Sequence, residues 1–550
     1  MRTRSSIALA ALLVAVAALV AAGCGGGSSS SSSGGSSGGG SLAADQTITI
    51  AWGAEPPSLD PGLATDTTSS NVLLNIMDPL VKLDSKTLKP VPSLAQSWDV
   101  KGANVTFHLR HDGKWTNGDP VTAQDFVFSW LRTLSPELGA DYAYQFYGIK
   151  GAQEYNGCDS KKDDCNALKA KVAISAPDKY TLKVQLTSPQ PWFIQQAAHH
   201  SFLAVNKKAV TKWGEKWTEP GHIVTDGPFK LAVWKHDAEI DLAKWNGWRD
   251  AKNVKLQRAN GRIITDGTTA VQSFEAGEVD VNTTGIPPSD IPRLKQKDTY
   301  QNYPALGTYY YGINVKNVPL NERRAMAFAI DRKEIIDNIA QADQVPATGF
   351  SPKGIPGFSQ IKTDYLQPTA DLSKAKSLMG KTPSAKKNIT LFVNDAPGHK
   401  DIAIAVQSMW KKLGITTTIK VMEWAQFLQF LGPPPNNAVD AYRNGWIGDF
   451  VDAINFLELW TCHSGNNNSN YCDPKYDQLV DKAKATKDNA ARYKIYGQLE
   501  NMLTGPNGAF PFIPIYWYTY VTQEAKSVQG SFNINLLDQF DLSKVKVVNG

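Results

Sequence analysis

The densest chemistry in the chain sits in one stretch, Arg443-Asn444-Gly445-Trp446-Ile447-Gly448-Asp449-Phe450-Val451-Asp452. The run from Val439 to Ile447 has the composition of a strand, and a turn, Pro433-Pro434-Pro435-Asn436-Asn437, stands ahead of it. The carboxylate of Asp449 arrives at the end of that run. Gly448 beside it leaves room for a group to approach the backbone. An acid at a strand end, with an aromatic and an arginine close by, is a way to hold a ligand carrying an ammonium at one end. The plainer reading makes Asp449 the cap of a helix starting near Asp452. Taken alone, the stretch favours that plainer reading.

Elements able to position such a site run through the rest of the chain. Thr47 to Trp52 and Val105 to Arg110 alternate as strands. Ser69 to Met77 reads as a helix. Thr122-Ala123-Gln124-Asp125 opens another with a capping box, Asp standing in for Glu, and Phe126, Trp130, Leu131 and Leu134 share one face. Thr225 to Trp234 is a turn and a strand, with Asp241 to Trp245 as hairpin partner. Asn321 to Ile339 predicts one long helix. Ile389 to Val393, Asp401 to Leu413 and Ile415 to Met422 follow as strand, helix and strand, which predicts an α/β unit with parallel pairing. Tyr476 to Leu503 makes two amphipathic helices. Tyr309 to Asn314 and Phe512 to Val521 are extended and aromatic.

Catalytic signatures are missing. There is no Gly-x-Ser-x-Gly, His-Glu-x-x-His, phosphate loop or Cys-x-x-Cys. His199-His200 is an adjacent pair, and adjacent side chains diverge on a regular element, so a structural or surface role is expected. No cofactor is implied.

At 550 residues the chain exceeds a single core, and two or three domains are expected. It is 42% hydrophobic and 20% charged, as a soluble globular protein is. The net charge of +5 comes from scattered Lys and Arg, which gives nucleic-acid binding no support. Arg2 and Arg4, the apolar run Ile7 to Val20 and the small residues Ala21-Ala22-Gly23 before Cys24 form an export signal. Small residues followed by Cys resemble a bacterial lipobox, although Ala21 replaces the usual Leu. This implies acylation of Cys24, after which Gly25 to Ser41 is a flexible tether. A plain signal peptide with an unmodified Cys24 is the alternative. The remaining cysteines, Cys158, Cys165, Cys462 and Cys472, form two sequence-local pairs in polar loops. In an exported chain the expected disulfides are Cys158–Cys165 and Cys462–Cys472. A zinc site on Cys462, His463 and Cys472 lacks the usual spacing and a fourth ligand, so no metal is expected.

Several motifs in order resemble the oligopeptide-binding, family 5 solute-binding proteins of ABC importers. They are Ser58-Leu59-Asp60-Pro61, Pro92 to Trp98, Trp115-x-Asn117-Gly118-x-Pro120-Val121-Thr122-Ala123-x-Asp125-Phe126, Asp226 to Leu231, and Arg323-x-Ala325 through Ala329-Ile330-Asp331-Arg332. The resemblance implies a two-lobed, periplasmic-binding-protein-like α/β fold of the large cluster C type. Residues 45–75, 210–308 and 512–550 would form lobe I, 76–209 a subdomain inserted in it, and 309–511 lobe II. Two aromatic strands, near 309–314 and 512–521, would cross between the lobes as a hinge.

By the same resemblance Asp449 pairs with a peptide's α-ammonium, and Trp446 and Trp424 line side-chain pockets. His399 and Arg443 meet the carboxylate end, and the chain from Leu63 through Thr65 to Thr67 offers backbone groups along the cleft. Leu431 stands where the family often has a further Arg, and Ala453 where Pro is common. The implied protein is a monomeric extracytoplasmic lipoprotein on the outer face of the membrane. It captures oligopeptides as added strands and delivers them to a permease. The alternatives are another solute such as an oligosaccharide, given 15 Trp and 19 Tyr, or a tethered hydrolase.

Overall fold

The computed structural model describes residues 40–432, 438–530 and 535–549. The export signal, Cys24, the tether up to residue 39 and the Pro433–Asn437 turn lie outside the described residues. Among those described, no helix is long and apolar enough to cross a membrane.

One large mixed sheet organises the chain. Its strands lie in the order Thr416–Met422, Asn388–Asn394, Ala441–Ile447, Tyr300–Ile313, Phe512–Glu524, Val281–Asn282, Thr47–Trp52, Arg258–Ile263, Glu239–Lys244 and Phe229–Lys235. Asn388–Asn394 and Thr416–Met422 are parallel and joined by the helix His399–Lys411, as the sequence predicts. At the other side Thr47–Trp52 pairs in parallel with Arg258–Ile263 and Val281–Asn282. The two longest strands bridge these halves. Tyr300–Ile313 and Phe512–Glu524 run antiparallel along their whole length, with the register shifting between Pro304 and Thr308. Beyond that shift Tyr300–Ile313 pairs with Ala441–Ile447, whereas the far end of Phe512–Glu524 pairs with Val281–Asn282. The fold is thus a two-lobed, periplasmic-binding-protein-like α/β fold. The lobes share one sheet, and the two aromatic strands carry the chain between them.

A second, four-stranded sheet, Ala95–Lys101, Asn104–Leu109, Thr181–Gln185 and Ile174–Asp178, has its own core, in which Trp115, Phe126 and Trp130 are fully buried. The helix Ala123–Thr133 packs there and starts with the expected capping box, Asp125 accepting from the amide and hydroxyl of Thr122 at 2.8 Å each. The predicted long helix from Asn321 is instead broken. It runs Leu320–Ala329, turns extended at Ile330 and restarts at Arg332, because Asp331 accepts the amide of Glu334 and caps a new turn. Cys158 is bonded to Cys165 and Cys462 to Cys472, which leaves neither thiolate of the second pair for zinc.

Candidate functional site

A cavity of about 430 Å³ opens between the lobes. The strand Ala441–Ile447 feeds Arg443 and Trp446 into it and ends just before Asp449. Asp449 is 6% exposed and does not cap a helix: the short helix Ile454–Leu457 that follows has Ala453 at its N-cap, and Asp452 just ahead of it accepts the amide of Ile454 at 3.0 Å.

Four donors converge on the Asp449 carboxylate. One oxygen accepts from the side-chain amides of Gln145 and Asn455, each at 2.7 Å. The other is met by His199 Nε2 at 3.0 Å and the Tyr142 hydroxyl at 3.3 Å. The His199 tautomer follows from its other nitrogen, which accepts the Ser201 amide and leaves the proton on Nε2 for Asp449. Asn455, fully buried, also accepts from the Asp449 amide and the Trp446 indole, so aromatic and acid are fixed as one unit. Burial and the neighbouring Asp449 push the Tyr142 phenol well above its ordinary range, which keeps it a donor.

Arg443 is the one guanidinium of the cavity's described lining, 7% exposed, and no carboxylate of a described residue pairs with it. It donates to the Tyr518 hydroxyl and, at 3.2 Å, to Asn394, and it lies 4.5 Å from the Tyr309 ring centroid. Burial alone would lower its basicity, but Tyr518, Tyr309 and Tyr516 raise it above the usual range and hold it charged. Gly445 makes this possible, since a Cβ there would fall 2.2 Å from the Tyr518 hydroxyl. Gly448 has a second role beside the one its position predicts. A Cβ there would crowd Leu306 and Phe456 at 3.3 Å, while Gly448 itself lines the cavity, so the glycine serves the packing behind the site as well as the open side facing it.

Trp424 lines the same cavity from the helix Trp424–Leu431, its indole directed at the Asp66 carboxylate. His399 sits at the start of its helix, and burial and the nearby Arg443 push its imidazole well below the ordinary range, so it is neutral there. Thr65 and Thr67 also line the cavity. Leu63 does not: its amide closes a turn onto Asp60 and its side chain is 42% exposed. The sequence reading missed Tyr142, Gln145, His199 and Asn455. The histidine pair was the visible signal, but the regular-element argument fails there. His199 is extended and His200 opens a short helical turn, so the rings lie side by side at 4.0 Å. Among the described residues no group of His, Cys, Asp and Glu could hold a metal.

Residues 89–468 match the family of bacterial extracellular solute-binding proteins, family 5 Middle. The chain belongs to this family. It is 33% identical to the oligopeptide-binding protein OppA of Bacillus subtilis (strain 168) over 504 residues, covering 88% of this chain and 90% of that one. The crystal structure of Haemophilus influenzae OppA in complex with RPPGFSPFR superposes with a TM-score of 0.84 at 29% identity, over 92% of this chain and 100% of that one. The murein tripeptide binding protein MppA of Escherichia coli gives 0.85 at 27% identity, over 92% of this chain and 100% of that one. Its unliganded open form gives 0.64 at 28%, over 93% and 99%. The arrangement here is therefore closer to that of a peptide complex than to that open form.

Proposed function

We propose that this chain captures oligopeptides between its lobes and hands them to the permease of an ABC importer, without catalysis. One observation carries the reading: a single cavity holds both the Asp449 carboxylate and a buried guanidinium, Arg443, that pairs with no carboxylate among the described residues. A buried unpaired charge is costly, so Arg443 is built to receive an anion. A peptide with free ends is a zwitterion that brings a carboxylate for Arg443 and an ammonium for Asp449. Extended backbone between them would meet the threonines and aromatics of the walls by hydrogen bonds that ignore sequence. The relatives named above support the same ligand class.

The chain works as a monomer, divided into lobes as the sequence reading sets out, with His399 joining Arg443 at the carboxylate end. Acylated Cys24 holds it to the outer face of the membrane. The test is calorimetry of the purified protein with a tripeptide, its N-acetylated and C-amidated forms, and a neutral oligosaccharide. Each cap should weaken binding by about 30-fold or more, as the loss of a desolvated charge pair does. Equal binding of free and doubly capped peptides, or preference for the sugar, overturns the reading.

A further inference from the structure

The charges around the cavity are strongly one-sided. Its described lining holds five aspartates, Asp66, Asp141, Asp395, Asp449 and Asp538, against one arginine, Arg443, and no lysine. The chain as a whole has the opposite sign, at +5. A zwitterionic peptide cancels one acid and the arginine and leaves four carboxylates. Asp66 is satisfied by the amide and hydroxyl of Ser69 at 3.0 and 2.6 Å, and Asp395 is exposed. Asp141 and Asp538 remain. The carboxylate of Asp141 makes no hydrogen bond or ion pair with any described residue, and burial pushes it up to about 6. Asp538 has only the hydroxyls of Thr67 and Tyr520, and burial pushes it up to about 7.

An independent feature points the same way. His200 is 2% exposed and lines the cavity. Its Nε2 lies 2.9 Å from the carbonyl oxygen of Ala64, so that nitrogen carries the proton. Its Nδ1 is then a lone-pair acceptor, buried and without a partner among the described residues. An unmet acceptor, an unmet carboxylate and a second carboxylate held only by neutral hydroxyls, all in one cavity, call for a ligand with extra cationic donors. We propose that Asp141 and Asp538, with Nδ1 of His200 as a neutral acceptor, select peptides that carry a basic side chain in addition to the terminal ammonium. This rests on the peptide reading and narrows it.

The experiment scans lysine, norleucine and glutamate through each position of trialanine, by calorimetry at fixed low salt. Norleucine keeps the lysine stem without its charge. In at least one position lysine should bind about tenfold or more tighter than norleucine, with glutamate weakest. That lysine-to-norleucine ratio should collapse in Asp141→Asn or Asp538→Asn and return in the matching Glu variant. Equal binding of lysine and norleucine peptides at all positions overturns the charge selection and leaves the peptide reading standing. A ratio unchanged in both Asn variants overturns the assignment to these aspartates. Failure of every peptide to bind the wild-type protein sinks the peptide reading, and the selection with it.

Discussion

His199 Nε2 and an Asp449 carboxylate oxygen meet at 3.0 Å, both buried and both lining the cavity. With Gln145, Asn455 and Tyr142 they fill the roughly four lone-pair sites of one carboxylate. A ligand ammonium must therefore displace a donor or share a site. The longest contact, from Tyr142 at 3.3 Å, is the one to yield.

Asp449→Asn should weaken binding of a free tripeptide by about 2–5 kcal/mol, since it strands a desolvated ammonium. N-acetylation of the peptide should cost the wild type a similar amount and cost the variant little more, because both changes remove one interaction. Tyr142→Phe should keep affinity within about threefold, because the donor it removes is the one displaced. Additive losses in the calorimetric cycle would remove Asp449 from the ammonium site.

Closure itself rests on a glycine. A Cβ on Gly465 would lie 2.5 Å from the Asp141 carbonyl oxygen and 2.6 Å from its Cα, in the facing wall. Backbone cannot yield as a flexible side chain can. Gly465→Ala should oppose the closed arrangement by about 1–3 kcal/mol and lower peptide affinity by roughly five- to 150-fold. Small-angle scattering with saturating peptide should show incomplete compaction. Wild-type affinity in the variant would mean that this seam does not close on the ligand.

The loop carrying Gly465 is closed by Cys462–Cys472 over a separation of ten residues, and its Asn466 and Asn468 line the cavity. Replacing both cysteines with Ser should cost about 2.5–3 kcal/mol of stability by loop entropy and also weaken binding. The same change at Cys158 and Cys165, which do not line the cavity, should cost stability alone. Denaturant titration beside calorimetry separates the two effects, and equal loss of affinity in both variants would contradict it.

What could be read from the sequence divides along a physical line. Asp60, Asp226, Arg323 and Arg332 stand out in the motifs because they fasten distant segments, and Asp125 because it caps its own helix. Asp60 takes both arms of Arg132 at 2.9 and 2.6 Å, and Arg332 donates to the Pro514 carbonyl at 2.8 Å. Their residue types announce them even though periodicity cannot locate their partners. Trp446 and Asp449 were legible for a similar reason, being close together at a strand end. Tyr142 and Gln145 reach Asp449 over sequence separations of 307 and 304, and only the folded chain brings them there. Leu63, expected to offer backbone groups along the cleft, stands outside the cavity's described lining and uses its amide in the turn onto Asp60, which nothing in its type foretells.

Asp141 titrates at about 6 in the folded chain, raised by burial, against about 3.9 for an unfolded Asp. Between those values the folded state binds more protons than the unfolded one. The contribution of Asp141 to stability is therefore fully present below about pH 4 and is lost as pH rises through 6. Asp538 acts in the same direction up to about 7. His200 and His399, pushed down by burial, act oppositely and lower stability as pH falls through the unfolded His range. Comparing wild type with Asp141→Asn cancels all but the first term. The stability advantage of the variant should be smallest near pH 4, grow between pH 4 and 6, and stay constant above 7. Denaturant midpoints at five pH values measure it. A difference independent of pH would show that the Asp141 carboxyl does not titrate differently in the two states.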